Sequence, residues 1–440
     1  MHIIHFVHRY PPALGGAESY VARLSHYFAV HGDEVSVWTS TAIDLNAMTG
    51  SGRSMQAGEA FDGTVRVRRY RPLRFPGRRY LFKALSLIPL RNWQALTRPS
   101  NPICPGMWND ANRYAGPLDA VHAFAFPHSF PAACALRLAR RRGVPFFLTP
   151  FLHLGDPTDP HDRTRHQYTS PALVRLLNRA DGVFVQTPGE FAAVCSLGVQ
   201  RDRVVLQGLG VDPAECTGGH RDRARQSWGV RGDEPVIGHL ANLSAEKGSV
   251  DLVQAALGAG IKVVLAGPEM PNFQRFWNSL ADSGSIAKLG VLTDSQKRDF
   301  FAGIDVFALP SRTDSFGLVL LEAWANGKPV VAYRAGGPAD LVRDGEDGFL
   351  VPCGNVAELT QRLQQLATDP SLRERLGANG RARIPSEFDW EDRLAIVRDC
   401  IPVARNSRIS RGGRGGRGGR GGRGARGARR GTRSGHPADP

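Results

Sequence analysis

Short apolar runs bounded by turn residues recur along this chain, and they fall into two series in tandem. The first is Ile3-Ile-His-Phe-Val, Val35-Ser-Val-Trp-Thr, Asp119-Ala-Val-His-Ala-Phe, Pro145-Phe-Phe-Leu-Thr and Gly182-Val-Phe-Val-Gln. The second is Val236-Ile-Gly-His-Leu, Lys262-Val-Val-Leu-Ala-Gly, Ile304-Asp-Val-Phe-Ala-Leu, Pro329-Val-Val-Ala-Tyr and Gly348-Phe-Leu-Val-Pro. Runs this short suit strands rather than helices, and their scant polar alternation marks them as covered on both faces, as in a parallel sheet. Helical stretches lie between them. Ser19–Val30 sets Val21, Leu24 and Phe28 on one face and has Gly32 as its stop, and Ala132–Arg142 is a second example. Alternating strands and helices predict an α/β fold of doubly wound, Rossmann-like sheets, one for each series. The domains read as 1–205 and 206–385, with Val204–Pro213 as linker. Loops from the carboxyl ends of both sheets can then meet across a cleft.

Composition narrows the class. A chain of 440 residues exceeds one ordinary core. Its 42% hydrophobic and 22% charged residues are those of a globular enzyme. No run of apolar residues reaches the ~18 needed to span a membrane, and Met1–Pro12 is too short and polar for a secretory signal. The six cysteines are scattered without a Cys-x-x-Cys pair, which argues against a zinc site or disulfide framework and fits a cytoplasmic protein. The net charge of +15 is uneven: residues 405–440 carry eleven arginines and one acid, and residues 63–109 carry ten Lys or Arg and no acid.

Three stretches hold chemistry. In Pro310–Ala325 a polar turn with Asp314, Ser315, Phe316 and Gly317 links the apolar run ending at Leu309 to a helical segment containing Glu322. Backbone N–H groups at such a helix start can hold phosphate, and two carboxylates eight positions apart can reach a sugar and a ribose. Gly15-Gly16-Ala17-Glu18 stands between the first strand and its helix, where glycines permit close approach of a ligand. Lys247 precedes Gly248 at the same place in the second series. The bland alternatives are a tight turn for Gly15-Gly16, a solvated charge for Lys247, and two surface carboxylates for Asp314 and Glu322.

Taken together, Tyr10-Pro-Pro-x-x-Gly-Gly-Ala-Glu, Gly238–Gly248, Asp314–Glu322, Gly327-Lys-Pro-Val-Val-Ala and Ala335-Gly-Gly-Pro resemble the retaining glycosyltransferases of family 4, over roughly residues 1–405. The resemblance implies the GT-B fold and a segment 386–404 that packs back on the first domain. It implies a nucleotide sugar donor held mainly by the second domain and a glycan, lipid-linked or small-molecule acceptor on the first, with no metal and no cofactor. Lys247, Gly15, Gly16, Ser315, Phe316 and Gly317 would face the donor's phosphates and sugar. Asp314 would contact the transferred sugar, and Glu322 the ribose. The chain departs from the family in three places: Asp314 replaces a Glu, the usual Arg is either replaced by Asn242 or missing, and Phe124 stands where a His is frequent. His153 and His128 are favoured over His122 as cleft histidines, each against an ordinary structural role.

The basic stretch 63–109 mixes cations with Phe75, Tyr80, Leu81, Leu87 and Ile88, which suits an anionic membrane surface or a solvated helical hairpin. The Arg-Gly-Gly tail, 405–440, is expected to be disordered; it admits RNA binding, adhesion to acidic lipid, or no role. A rival reading from another class is therefore a non-catalytic sugar-nucleotide or RNA-binding protein with a degenerate site and a working tail.

Overall fold

The computed structural model describes residues 1–413 apart from Arg231, Asp282, Ser283 and Ser285. Among the described residues fourteen strands make two sheets. The first holds β1 (His2–Phe6), β2 (Glu34–Ser40), β3 (Gly58–Asp62), β4 (Val65–Tyr70), β5 (Ala120–Phe124), β6 (Phe146–Thr149), β7 (Gly182–Val185) and β8 (Val204–Leu206). Its order is β3-β4-β2-β1-β5-β6-β7-β8, parallel except for the antiparallel β3–β4 hairpin. The second holds β9 (Val236–Leu240), β10 (Lys262–Ala266), β11 (Ile286–Gly290), β12 (Val306–Leu309), β13 (Val330–Tyr333) and β14 (Gly348–Val351), in the order β11-β10-β9-β12-β13-β14, all parallel.

The pleat explains why these runs look apolar throughout. Alternate residues of one strand enter different cores: Val35, Val37 and Phe147 lie on one face of the first sheet, and Trp38, Phe146 and Leu148 on the other. Helices cover both faces, so both sets are buried. In each sheet the strand order reverses at one point, between β1 and β5 in the first and between β9 and β12 in the second. Loops that leave a parallel sheet at such a reversal diverge to opposite faces and open a crevice at the strands' carboxyl ends. Gly15-Gly16 follows β1 and Lys247 follows β9, so both stand at these openings.

Three readings of the sequence change. Val204–Leu206 is an edge strand paired with β7 rather than linker; three residues are too few to show a period. The β3–β4 hairpin opens the basic stretch, and Val65 and Val67 are fully buried beneath its arginines. The remainder of that stretch includes the helices Arg78–Leu85 and Arg91–Thr97. β11 went unread because, past the buried Ile286, its residues are half-buried or exposed on an edge.

The last helix, Trp390–Gly413, crosses back to the first domain. Asp33 receives Arg398 Nε at 2.7 Å and the chain's amino terminus at 2.7 Å. The Trp390 ring lies 6.3 Å from that of Tyr20, with Arg23 over its face. The domains also meet through Gly189 N–H, which donates to Asp340 Oδ2 at 2.8 Å, and through the Arg23–Glu215 ion pair. The helical backbone continues past 405 to Gly413; the rest of the Arg-Gly tail, with its expected disorder and its RNA reading, lies outside the described residues. Among the described residues no helix is long and apolar enough to cross a membrane, and all six cysteines are free thiols.

Candidate active site

Lys247 is placed by a small polar network. His239 on β9 donates from Nδ1 to Ala308 O at 2.8 Å, which leaves Nε2 as the acceptor for the Ser249 hydroxyl at 2.9 Å. Ser249 in turn accepts the Ser244 N–H, and Ser244 Oγ accepts the Lys247 N–H, both at 3.1 Å. Burial drives His239 down to about 4, so the network holds a neutral imidazole. Thus fixed, Lys247 Nζ reaches Asp314 Oδ2 at 2.7 Å. Burial alone would raise the Asp314 carboxyl, but the Lys247 charge overrides it and holds the group below its ordinary value.

The Asp314 loop is closed from below by the turn after β13. Gly337 N–H donates to Asp314 O at 2.9 Å, and a Cβ at Gly337 would meet Phe316 Cα at 2.4 Å. Only glycine allows these two loops to touch. Phe316 is itself buried, and its N–H is turned to the Asp314 carboxylate. Ser315 and Gly317 complete the loop, with Gly317 directly before the helix Leu318–Ala325. Glu322 sits on that helix, where Lys297 Nζ lies 2.5 Å from its Oε1. Its Oε2 is buried without a hydrogen-bond partner, and burial raises the carboxyl despite Lys297. An orphan carboxylate oxygen in a cleft is an acceptor waiting for a donor group.

The first domain supplies the facing wall. His153, past the end of β6, lies tilted against Tyr168 with ring centroids 4.6 Å apart. Burial, then the Lys247 charge, lowers it to about 3, while Asp314 acts the other way; His153 is a neutral hydrogen-bonding group beside the Lys247–Asp314 pair. His128 donates from Nδ1 to Ser100 O at 3.1 Å and stacks on His8 at 4.6 Å. His8 and Arg9 both approach Glu18 Oε1, at 3.3 and 2.6 Å. Glu18 lies so close under the glycine loop that a Cβ at Gly15 would be 2.1 Å from its Oε2. Gly16 faces the other domain: a Cβ there would touch Leu318 Cδ1 at 3.8 Å. The favoured residues therefore form two groups, His153 with Lys247 and Asp314, and His128 with the Gly15 loop through His8 and Glu18. His122 is different: it is fully buried, bonded to Thr149 Oγ1 at 2.8 Å and against Phe124, itself fully buried. Asn242 is exposed.

Sequence reasoning missed several participants. Lys297 carries no local signal, since its meeting with Glu322 is made by the fold. Glu190, fully enclosed, accepts from Leu152 N at 2.6 Å and Gln186 N at 2.7 Å, tying the ends of β6 and β7 together; burial raises it to about 7. Ala125 and Phe151 hold left-handed backbone, φ 64° and 50°, just past β5 and β6 and shortly before His128 and His153. Strain of this kind, held by surrounding structure, collects at functional loops.

This geometry agrees with the comparisons to known proteins. Residues 15–210 match the glycosyl transferase 4-like domain and residues 220–383 match glycosyl transferases group 1. The chain belongs to the glycosyltransferases of GT-B fold. The lipopolysaccharide core biosynthesis glycosyltransferase LpsE of Rhizobium meliloti is 30% identical over half of this chain and 64% of its own length. A D-inositol 3-phosphate glycosyltransferase of Thermobifida fusca is 29% identical over 69% of this chain and 76% of its own. The chain spans only half the length of the mycobacterial enzymes of that name. Among solved structures, a sucrose-phosphate synthase from Thermosynechococcus elongatus superposes with a TM-score of 0.71 over 93% of this chain and all of its own, at 20% identity. Anabaena HepE in complex with UDP gives 0.66 over 92% of this chain and all of its own, also at 20% identity.

Proposed function

We propose that this chain transfers a sugar, with retention of anomeric configuration and without a metal, from a nucleotide diphosphate sugar to a hydroxyl acceptor. The observation that carries the reading is the meeting of His153 from one domain with Lys247 and Asp314 from the other, beside the orphan Oε2 of Glu322. On this reading Lys247 leaves Asp314 to neutralise the donor's phosphates, and the freed carboxylate accepts from hydroxyls of the transferred sugar. Glu322 accepts from the ribose hydroxyls through Oε2. The N–H groups at Ser315 and Gly317 add fixed dipoles aimed at the charge that develops as the pyrophosphate departs. His153, being neutral, donates one hydrogen bond to the sugar or acceptor and brings no competing positive charge. The departing phosphate oxygen takes the acceptor's proton, so no carboxylate nucleophile is required.

On this reading the acceptor binds the first domain beside His128, and the Gly15 loop lies between it and the donor's phosphates. The acceptor's class, a glycan or lipid-linked saccharide of the cell surface, is supported by the likeness to the lipopolysaccharide core enzyme. The HepE complexes with UDP and UDP-glucose make UDP-sugars the first donors to test. Incubation with labelled UDP-, GDP- and ADP-sugars and a panel of saccharide acceptors, with the product's anomeric coupling read by NMR, tests the proposal. An α-linked product from an α-linked donor is the expected result; an inverted product, or transfer that stops on chelation of divalent metal, contradicts it.

A further inference from the structure

Two carboxylates outside the site meet at one helix start, and each is tied to a different half of the site. The helix is Pro188–Ser196, which follows β7 and is capped by Thr187, whose Oγ1 accepts the Glu190 N–H at 3.1 Å. A glutamate three residues past such a cap ordinarily reaches back to the cap's own N–H. Glu190, buried, instead takes the N–H groups of Leu152 and Gln186, past the ends of β6 and β7. Leu152 stands between Phe151, with its left-handed backbone at φ 50°, and His153. Glu190 therefore holds the strained turn from which His153 projects.

The second carboxylate comes from the other domain. Gly189, the residue before Glu190, donates its N–H to Asp340 Oδ2 at 2.8 Å. A Cβ at Gly189 would lie 2.6 Å from that oxygen, so the approach needs bare backbone. Free N–H groups and the dipole at a helix start both favour an anion there. Asp340 belongs to the short helix Gly336–Leu341, whose Gly337 N–H holds Asp314 O. Three hydrogen bonds, of 2.6, 2.8 and 2.9 Å, thus lead from the residue before His153 to Asp314. The last helix and the Arg23–Glu215 pair also join the domains, but neither ends on a loop that carries His153 or Asp314.

We propose that Asp340 is a positioning residue: seated on the helix start beside Glu190, it sets the register between the His153 wall and the Asp314 loop, and sugar transfer depends on that register. This rests on the transfer reading, since register matters only where both walls act on one substrate. Asp340 is exposed, and its removal leaves no cavity. The other contacts still join the domains, and the donor is assigned to the second domain alone. Loss of Asp340 should accordingly touch turnover and spare both stability and donor binding.

The test measures kcat and donor KM of the full-length chain by nucleotide diphosphate release at saturating saccharide acceptor, with UDP-, GDP- and ADP-glucose as donors. Asp340→Ala is expected to lower kcat about tenfold, the low end for a hydrogen bond to a charged group, with donor KM and melting temperature unchanged. Asp340→Asn keeps an oxygen for the Gly189 N–H and is expected to recover most of the loss. Gly189→Pro removes the donor from the other side, in a first turn that tolerates proline, and is expected to match Asp340→Ala. The double variant is expected to be no slower than either single one, as for two halves of one contact. An unchanged kcat in Asp340→Ala, a loss accompanied by weaker donor binding or lower melting temperature, equal losses in the Ala and Asn variants, or additive losses in the double variant would each overturn the proposal. Thermal shift with the same three donors judges the transfer reading separately. A rise that Asp340→Ala leaves intact upholds donor binding even where the register proposal fails, and no rise in the unmodified chain sinks both.

Discussion

Lys247 is the cation paired with Asp314, and Asn242, on the same loop after β9, is neutral and exposed. A charge-assisted hydrogen bond contributes about 1.5–3 kcal/mol. Lys247→Ala is therefore expected to lower kcat/KM for the donor by roughly ten- to a hundredfold, read in a coupled assay of nucleotide diphosphate release. Asn242→Arg works in the opposite direction: it restores a second fixed cation and is expected to lower the donor's KM by about tenfold or more, as titration at saturating acceptor would show. An unchanged KM would mean that the pyrophosphate does not pass Asn242. Asp314, a methylene shorter than Glu, reaches Lys247 directly, so Asp314→Asn is expected to cost activity while sparing the melting temperature more than Asp314→Leu.

Among the elements, the Asp314 loop and the glycine turn after β13 are directly coupled. Gly337→Ala puts a carbon 2.4 Å from Phe316 Cα, and neither backbone can yield cheaply. Overpacking of this kind costs about 1–3 kcal/mol, so the variant is expected to melt several degrees lower and to bind donor more weakly; thermal unfolding with and without nucleotide separates the two effects. This coupling was half legible beforehand. Ala335-Gly-Gly-Pro and Asp314–Glu322 both stood out in the sequence, but nothing local told that one supports the other. The strands that carry the site were legible because burial on both faces leaves little but apolar residues. Edge strands β8 and β11 were not, since one is three residues long and the other is half exposed. Lys297 and Glu190 escaped for a different reason: their partners, Glu322 and the N–H groups of Leu152 and Gln186, become neighbours only through the fold.

In the whole molecule the histidines set an acid limit on stability. Burial drives His5 and His153 to about 3, His239 to about 4, and His122 and His128 well below the ordinary value. The unfolded chain takes up these protons near pH 6.5, while the folded chain does not. Stability is thus intact above that pH and is lost as pH falls, by about 1.4 kcal/mol per unit for each histidine. Glu190, raised to about 7, has the opposite sign, because the folded state keeps a proton that the unfolded state releases above 4.5. Glu322, raised by burial, acts likewise. A net loss remains, so denaturant midpoints are expected to fall between pH 6.5 and 5; a flat profile would show that the histidines are hydrated. Binding of the proposed donor between Lys247 and Glu322 is tested by thermal shift, with UDP-, GDP- and ADP-sugars added to the unmodified chain, Lys247→Ala and Glu322→Ala. Ligand at a hundred times Kd adds about 2.7 kcal/mol, so one nucleotide series is expected to raise the melting temperature of the unmodified chain by several degrees and to do so far less in both variants. No rise with any nucleotide sugar, or an equal rise in all three proteins, would contradict it.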